Sequence, residues 1–304
     1  MKEPAYMALY ERGILEKRVD SALNRLKACD ICPWNCSVDR TAGKIGVCRT
    51  GRFARVASFG PHFGEEAPLV GERGSGTIFF SACNMFCTFC QNYDISHLDH
   101  GQEVDAKGLA DMMLSLESQG CHNINLVSPS HVVSQILEAL LIAVRKGLRV
   151  PLVYNTGGYD SVSTLKLLDG IVDIYMPDFK FWDDEPARKY LRVNNYRSTA
   201  MNAIKEMHAQ VGDLVLDNRG IAIRGLIVRH LVMPFCVAGT KEVMKFLAKE
   251  ISKHTYVNIM DQYRPYYRAI KDKTIGRGIT RREFLDAVLD ATSAGLTRLD
   301  SVQI

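Results

Sequence analysis

Cys83, Cys87 and Cys90 lie in SACNMFCTFC, residues 81–90, at C-x3-C-x2-C spacing. Thiolates are soft ligands that suit iron–sulfur clusters and zinc. Three closely spaced thiols fit neither a pairwise disulfide scheme nor a structural zinc site, which takes four protein ligands. The loop holds no fourth cysteine, and His97 is the one alternative ligand close by. A cubane cluster held by three cysteines leaves one iron open to an outside ligand, and that opening is the chemical meaning of the gap.

Cys29, Cys32, Cys36 and Cys48 form a second group, C-x2-C-x3-C-x11-C. Four thiols on turns containing glycine and proline make a closed site, either structural or electron-carrying. Zinc and a second Fe–S cluster both accept four thiolates. Either would staple a stretch too poor in apolar periodicity to fold alone. Cys121 reads as a small core hydrophobe. Cys236, in MPFCVAGT, reads either as packing or as a donor of a hydrogen atom or proton to a substrate radical.

These residues need elements to position them. Residues 1–27 read as a helical lead with Leu15, Val19, Ala22, Leu23 and Leu26 on one stripe. Residues 28–72 read as an irregular, metal-stapled cap, so the expected division is 1–72 and 73–304. From Thr77 onward strands and helices alternate. Strands are expected at 77–84, 123–129, 150–158, 172–180, 225–234 and 255–265. Helices are expected near 105–119, 131–146, 165–168, 185–211, 240–253 and 280–293. A small hairpin turns at Asp217–Gly220. Six such units predict an α/β fold, a partial (βα)6 TIM-like barrel of parallel strands; a flat doubly wound sheet is the alternative from pattern alone.

In either architecture, function collects at the C-terminal strand ends. Those ends carry Cys83–Cys90, Ser128 to His131, Asn155 to Tyr159, Asp178 to Lys180, Arg229 to Cys236, and Met260 to Tyr263. Any one of them is unremarkable as a polar loop; six facing the same way are harder to dismiss.

The cysteine loop at the end of a first strand, with Phe89 before its last cysteine, resembles the radical S-adenosylmethionine (SAM) superfamily. CNMFCTFCQN is similar to the branch related to the pyruvate formate-lyase activating enzyme. CxxCPxxC, HFGEEAPLVG, NTGGYD, YMPDFK, RHLVMP and VNIMDQY extend the resemblance over nearly the whole chain. The resemblance implies a [4Fe–4S] cluster on Cys83, Cys87 and Cys90 whose open iron is chelated by the SAM amino and carboxylate groups. One-electron cleavage of SAM then gives a 5′-deoxyadenosyl radical that abstracts a hydrogen atom. A low-potential donor such as flavodoxin or ferredoxin is implied as partner.

The SAM-binding residues carry over unevenly. Phe89 matches the aromatic near the adenine, and Asn92 follows in the same run. Many relatives end the second strand in Gly-Gly-Glu, which meets the SAM amino group. Here Ser128-Pro129-Ser130-His131 stands there, and hydroxyls of Ser128 and Ser130 are the replacement acceptors. Asn155 stands beside glycines that would let backbone approach a ligand. Asp178 and Lys180 match the Asp-x-Lys of the activating enzymes. Arg229 and His230 suit contacts to ribose or carboxylate.

The 304 residues carry a formal net charge of +4, which is no nucleic-acid signature. No run approaches the roughly eighteen apolar residues of a membrane span, and the first residues lack an apolar signal core. Clustered cysteines without a secretory signal fit the cytoplasm. Residues 260–282 hold seven basic residues and three tyrosines, either a solvated loop or a dock for an acidic partner. Glu65 and Glu66 could reach the strand ends from the cap. Three functions follow: a radical generator acting on a glycyl-radical-type protein, radical modification of a peptide or small molecule, or noncatalytic Fe–S electron transfer.

Overall fold

A computed structural model describes residues 3–98 and 100–300. Its strands are β1 (Ala54–His62), β2 (Ser75–Phe80), β3 (Gln102–Val104), β4 (Ile124–Val127), β5 (Leu152–Thr156), β6 (Ile174–Pro177), β7 (Val215–Leu216), β8 (Ala222–Leu231), β9 (Tyr256–Met260) and β10 (Arg298–Leu299). They form one sheet in the order β10-β9-β8-β6-β5-β4-β2-β1-β3, with β7 paired to β8. The six expected strands are β2, β4, β5, β6, β8 and β9. They run parallel and in chain order. A doubly wound sheet reverses its order at a switch point; this one does not, and it curls into a partial barrel.

Alternation sorts the side chains. Residues 78, 124, 126, 152, 154, 175, 226, 228, 230 and 257 face the helices. Their apolar members join one large core with the helices Ala106–Ser118, Val133–Arg145 and Tyr196–Val211. The opposite row faces the barrel interior. Val153, Ile174, Met176 and Ile227 form a separate apolar floor with Leu69, Leu214 and Ala222. Leu69 arrives from the connection between β1 and β2, which are antiparallel neighbours. This connection folds up into the barrel, and Asn123 Nδ2 donates to the Leu69 carbonyl at 2.9 Å.

Several expectations change. The helical lead is two helices, Ala5–Glu11 and Ile14–Asn24, broken where Gly13 takes φ 63°. The stretch 28–72 contains a nine-residue strand, β1, which extends the barrel sheet. The span 185–211 is interrupted by left-handed Arg192 and Asn195, giving Asp184–Leu191 and Tyr196–Val211. No helix among the described residues is long and apolar enough to cross a membrane.

Candidate active site

The cysteine loop leaves β2 through Ala82, which adopts φ 64°. Its backbone is pinned at both sides. Ala82 N donates to the Ile95 carbonyl at 2.9 Å, Phe86 N to Leu191 at 3.0 Å and Thr88 N to Tyr190 at 2.8 Å. The eight-residue stretch from Cys83 to Cys90 is therefore held against the end of the helix Asp184–Leu191. Gly157 is needed here: a Cβ on it would lie 2.3 Å from Met85 Cε. Gly158, at φ 80°, would place a Cβ 2.3 Å from the Asp178 carbonyl oxygen. These glycines admit the cysteine loop and the β6 backbone, rather than giving room to a ligand.

Cys83, Cys87 and Cys90 line one cavity of about 410 Å³ with Phe89, Asn92, Ser128, Asn155, Asp178, Lys180, Arg229 and Glu65. That volume falls within the range of small-molecule sites. A larger cavity, about 650 Å³, lies at the opposite strand ends among Arg73, His122, Arg149 and Asp173. We place the chemistry in the smaller one, because it holds Cys83, Cys87 and Cys90 together, whereas the larger holds the single Cys121.

All three cysteines are free thiols. Burial pushes the Cys83 thiol up to about 11, and it raises Cys87 further still, against the opposing charge of Lys180. Desolvated thiols of this kind become thiolates only when a cation compensates them, so metal loading expels protons. Met85 N lies 3.4 Å from Cys83 Sγ, and Ser96 Oγ lies 3.2 Å from Cys90 Sγ. The Met85 N–H already directed at Cys83 sulfur fits an anionic, metal-bound thiolate. Among the described residues no three His, Cys, Asp or Glu side chains group around a point that would hold a single ion; each cysteine of a cubane takes a different iron. His97 also lines the cavity, with Nδ1 2.7 Å from Ser96 Oγ.

Facing the thiols is a charged network. Asp178 Oδ2 accepts from Lys180 Nζ at 2.5 Å and Oδ1 from Arg229 Nε at 2.7 Å. Arg229 Nη2 donates to Asn155 Oδ1 at 2.7 Å, and Nη1 lies 3.4 Å from Glu65 Oε2. Burial opposes the Asp178 charge, but the two cations win and hold its carboxyl below the usual range. Beneath, Glu66 is 4% exposed and accepts from Asn258 Nδ2 at 2.8 Å. Burial raises the Glu65 carboxyl, with Arg229 pulling the other way.

The expected residues divide. Phe89 sits edge-on to Phe181 and Tyr263 at 6.0 and 6.1 Å and contributes to the cavity wall. Ser128 lines the wall in a left-handed conformation, φ 58°. Ser130 does not: it is buried behind β5, its Oγ 2.9 Å from Thr156 Oγ1. His230 points away from the cavity because its neighbour Arg229 points in. Its Nδ1 lies 2.7 Å from the Phe179 carbonyl and its Nε2 2.9 Å from Thr240 Oγ1. Burial lowers its pKa to about 4. Cys236 is exposed and outside the cavity lining. The structure adds Glu65, which the sequence left undecided, and the interior asparagines Asn125 and Asn258, which it missed. Their signal was a polar residue in the inward phase of an otherwise apolar strand.

The four cysteines of the first group also lie near one another. The charges of Cys48, Cys29 and Cys36 each raise the Cys32 thiol, after burial, the largest cause. Gly46 has no Cβ, which would lie 2.4 Å from Cys36 Sγ. Left-handed Asn35 and Ser37 fold the turn, and Ser37 N donates to the Cys29 carbonyl at 2.9 Å.

An α/β partial barrel with three thiols at the end of its first parallel strand, opposite a clamped Asp–Lys–Arg network, defines a class of enzyme that positions a cluster and a small cofactor. The radical SAM superfamily model matches residues 77–221. The uncharacterized protein MJ0674 of Methanocaldococcus jannaschii is 32% identical over 286 residues, 91% of this chain and 78% of that protein. The chain belongs to the radical SAM superfamily. The fold is similar to HydG, a maturase of the [FeFe]-hydrogenase, at TM-score 0.50 and 13% identity, covering 72% of this chain. The chain spans about half of HydG, 49% of its length. Methylornithine synthase (PylB) matches at TM-score 0.47 and 14% identity, over 73% of this chain and 69% of that one.

Proposed function

We propose that this chain cleaves SAM reductively and uses the product to take a hydrogen atom from a substrate in the same cavity. Cys83, Cys87 and Cys90 would hold the [4Fe–4S] cluster. When bound, the cluster, once reduced by an outside one-electron donor, would supply the electron for reductive cleavage of SAM, which is the acceptor. The observation that carries this reading is the single cavity that joins three thiols to the cation pair Lys180 and Arg229. Asp178 and Asn155 fix that pair, so two donors stand ready for a carboxylate with little left to reorganise. Ser128 offers acceptors for an ammonium group. Phe89 forms an apolar wall suited to a nucleobase.

The electron would come from a low-potential donor of the flavodoxin or ferredoxin kind. A glycyl-radical-type partner protein is the first substrate reading. Glu65 in the cavity supports a second, a peptide or small molecule with a group that donates to a carboxylate. Noncatalytic electron transfer is the third. In this scheme residues 1–72 supply the metal-binding cap and 73–304 most of the barrel, with β1 and its connection to β2 lent to the barrel from the first part. The test is 5′-deoxyadenosine formation by anaerobically reconstituted, dithionite-reduced protein given SAM. Wild type should make the nucleoside and Cys87→Ala none. Cluster-loaded wild type that neither binds nor cleaves SAM would make electron transfer the leading reading.

A further inference from the structure

Cys29, Cys32 and Cys48 are 2%, 6% and 4% exposed. Arg40, 1% exposed, stands beside them. Its Nη1 lies 3.8 Å from Cys29 Sγ and donates to the His131 carbonyl at 2.9 Å, and its Nε donates to the Gly51 carbonyl at 2.9 Å. Its Nη2 is buried with no partner. An orphaned guanidinium N–H costs free energy unless something accepts from it. Beside four thiols, the fitting acceptor is an anionic sulfur of a metal-bound group. The site is therefore built for a thiolate-held centre.

What distinguishes it from a remote staple is Trp34, which lies between Cys32 and Cys36. Its Nε1 donates to the carbonyl of Asn84 at 2.6 Å. Asn84 is the residue after Cys83. The same Asn84 donates through Nδ2 to the Tyr159 carbonyl at 2.6 Å, and the Trp34 ring stands edge-on to Tyr159 at 6.4 Å. One half-buried indole thus joins the two cysteine loops through a direct hydrogen bond. Zinc has no redox chemistry and would leave this junction unused; an Fe–S centre would use it.

We propose that Cys29, Cys32, Cys36 and Cys48 hold a redox-active Fe–S cluster, and that Trp34 couples it electronically to the Cys83–Cys90 loop. One electron enters from a low-potential one-electron donor and passes to the centre at Cys83, Cys87 and Cys90. No bond forms or breaks and no proton moves. The identity of the acceptor rests on the proposed SAM chemistry; the presence of the first cluster does not.

The experiment uses the full chain, reconstituted anaerobically. In a Cys83→Ala/Cys87→Ala/Cys90→Ala variant about four irons should remain, against about eight in wild type, with an electron paramagnetic resonance signal on dithionite reduction. Cys36→Ser, at the half-exposed member, should lose the complementary half. One zinc in place of iron in the triple variant, or an iron centre there that no reductant changes, overturns the proposal. Trp34→Phe keeps a ring and removes the N–H donor. With iron content unchanged, it should slow reduction of the Cys83–Cys90 centre by a reduced flavodoxin several-fold, read by freeze-quench resonance. An unchanged rate also overturns the proposal. If wild type keeps both clusters and this rate falls, yet no SAM is cleaved, the relay stands and the SAM reading fails.

Discussion

Glu65 Oε2 and Arg229 Nη1 stand 3.4 Å apart although 164 residues separate them in the chain. The contact ties the connection after β1 to the end of β8, across the barrel. Arg229 then touches Asp178, Asn155 and Glu65 at once, so one guanidinium sets the positions of three polar side chains on three other segments.

Arg229→Ala removes the cation that compensates Asp178 and Glu65. Breaking a buried pair by deleting one partner typically costs about 3–5 kcal/mol. Urea unfolding of the variant should show a loss of that order. Arg229→Lys should recover only part, because an ammonium cannot reach all three partners in a fork. A loss below about 1 kcal/mol, the range of exposed pairs, would show the network to be solvated.

Glu65→Gln should stabilise the metal-free protein at neutral pH. Burial raises the folded pKa of Glu65 above its unfolded value. The folded chain therefore binds this proton more tightly than the unfolded chain. The charge is a cost at neutral pH that is relieved as pH falls through the folded pKa. The difference in urea midpoint between variant and wild type should shrink on acidification. A variant less stable than wild type at neutral pH would mean that the Arg229 contact outweighs burial.

His131 and His230 act in the opposite sense. Burial lowers both to about 4. The unfolded chain takes up these protons below about pH 6.5 while the folded chain does not until it reaches the lowered values. Stability should fall as pH drops through that window, with each histidine contributing up to about 3 kcal/mol. In His230→Gln the slope of stability against pH should be smaller there. SAM binding at neutral pH should survive in this variant, since His230 faces away from the cavity; loss of binding in a folded variant would place it in the site after all.

The two glycines after Asn155 separate a stability effect from a loading effect. Gly158→Ala forces a side chain into φ 80° and against the Asp178 backbone. The left-handed backbone alone costs about 1–2 kcal/mol, and the clash adds to it. Gly157→Ala clashes with the flexible end of Met85 and makes ordinary contact with Lys180 Cε. It should fold with near-normal thermal stability yet retain less iron, because Met85 sits between Cys83 and Cys87. Equal stability loss in both would mean that the cysteine loop cannot shift.

The parallel units and the three-thiol loop were legible because each leaves a local trace: an apolar run, then a polar turn, then a helical stripe. The inward or outward phase of a strand is harder to read. In GLIVRHLVMP both rows below Arg229 and His230 are apolar, Ile227 on one side and Leu226 and Val228 on the other. Either residue could have faced the cavity, and only the assembled barrel decides. Ser130 and Cys236 failed for a related reason: a position near a strand end does not give a direction. Glu65 was out of reach because its depth depends on how a hairpin connection turns back through the interior.

That connection has an evolutionary consequence. Residues 63–74 are one short connection between two neighbouring strands, yet they supply Leu69 to the apolar floor beneath the cavity and Glu65 to its acidic wall. Cys83, Cys87, Cys90, Asp178 and Lys180 all lie elsewhere in the chain. A gene encoding this scaffold could exchange that short cassette for another and acquire a different molecular diet while the proposed radical-generating apparatus stayed as it was.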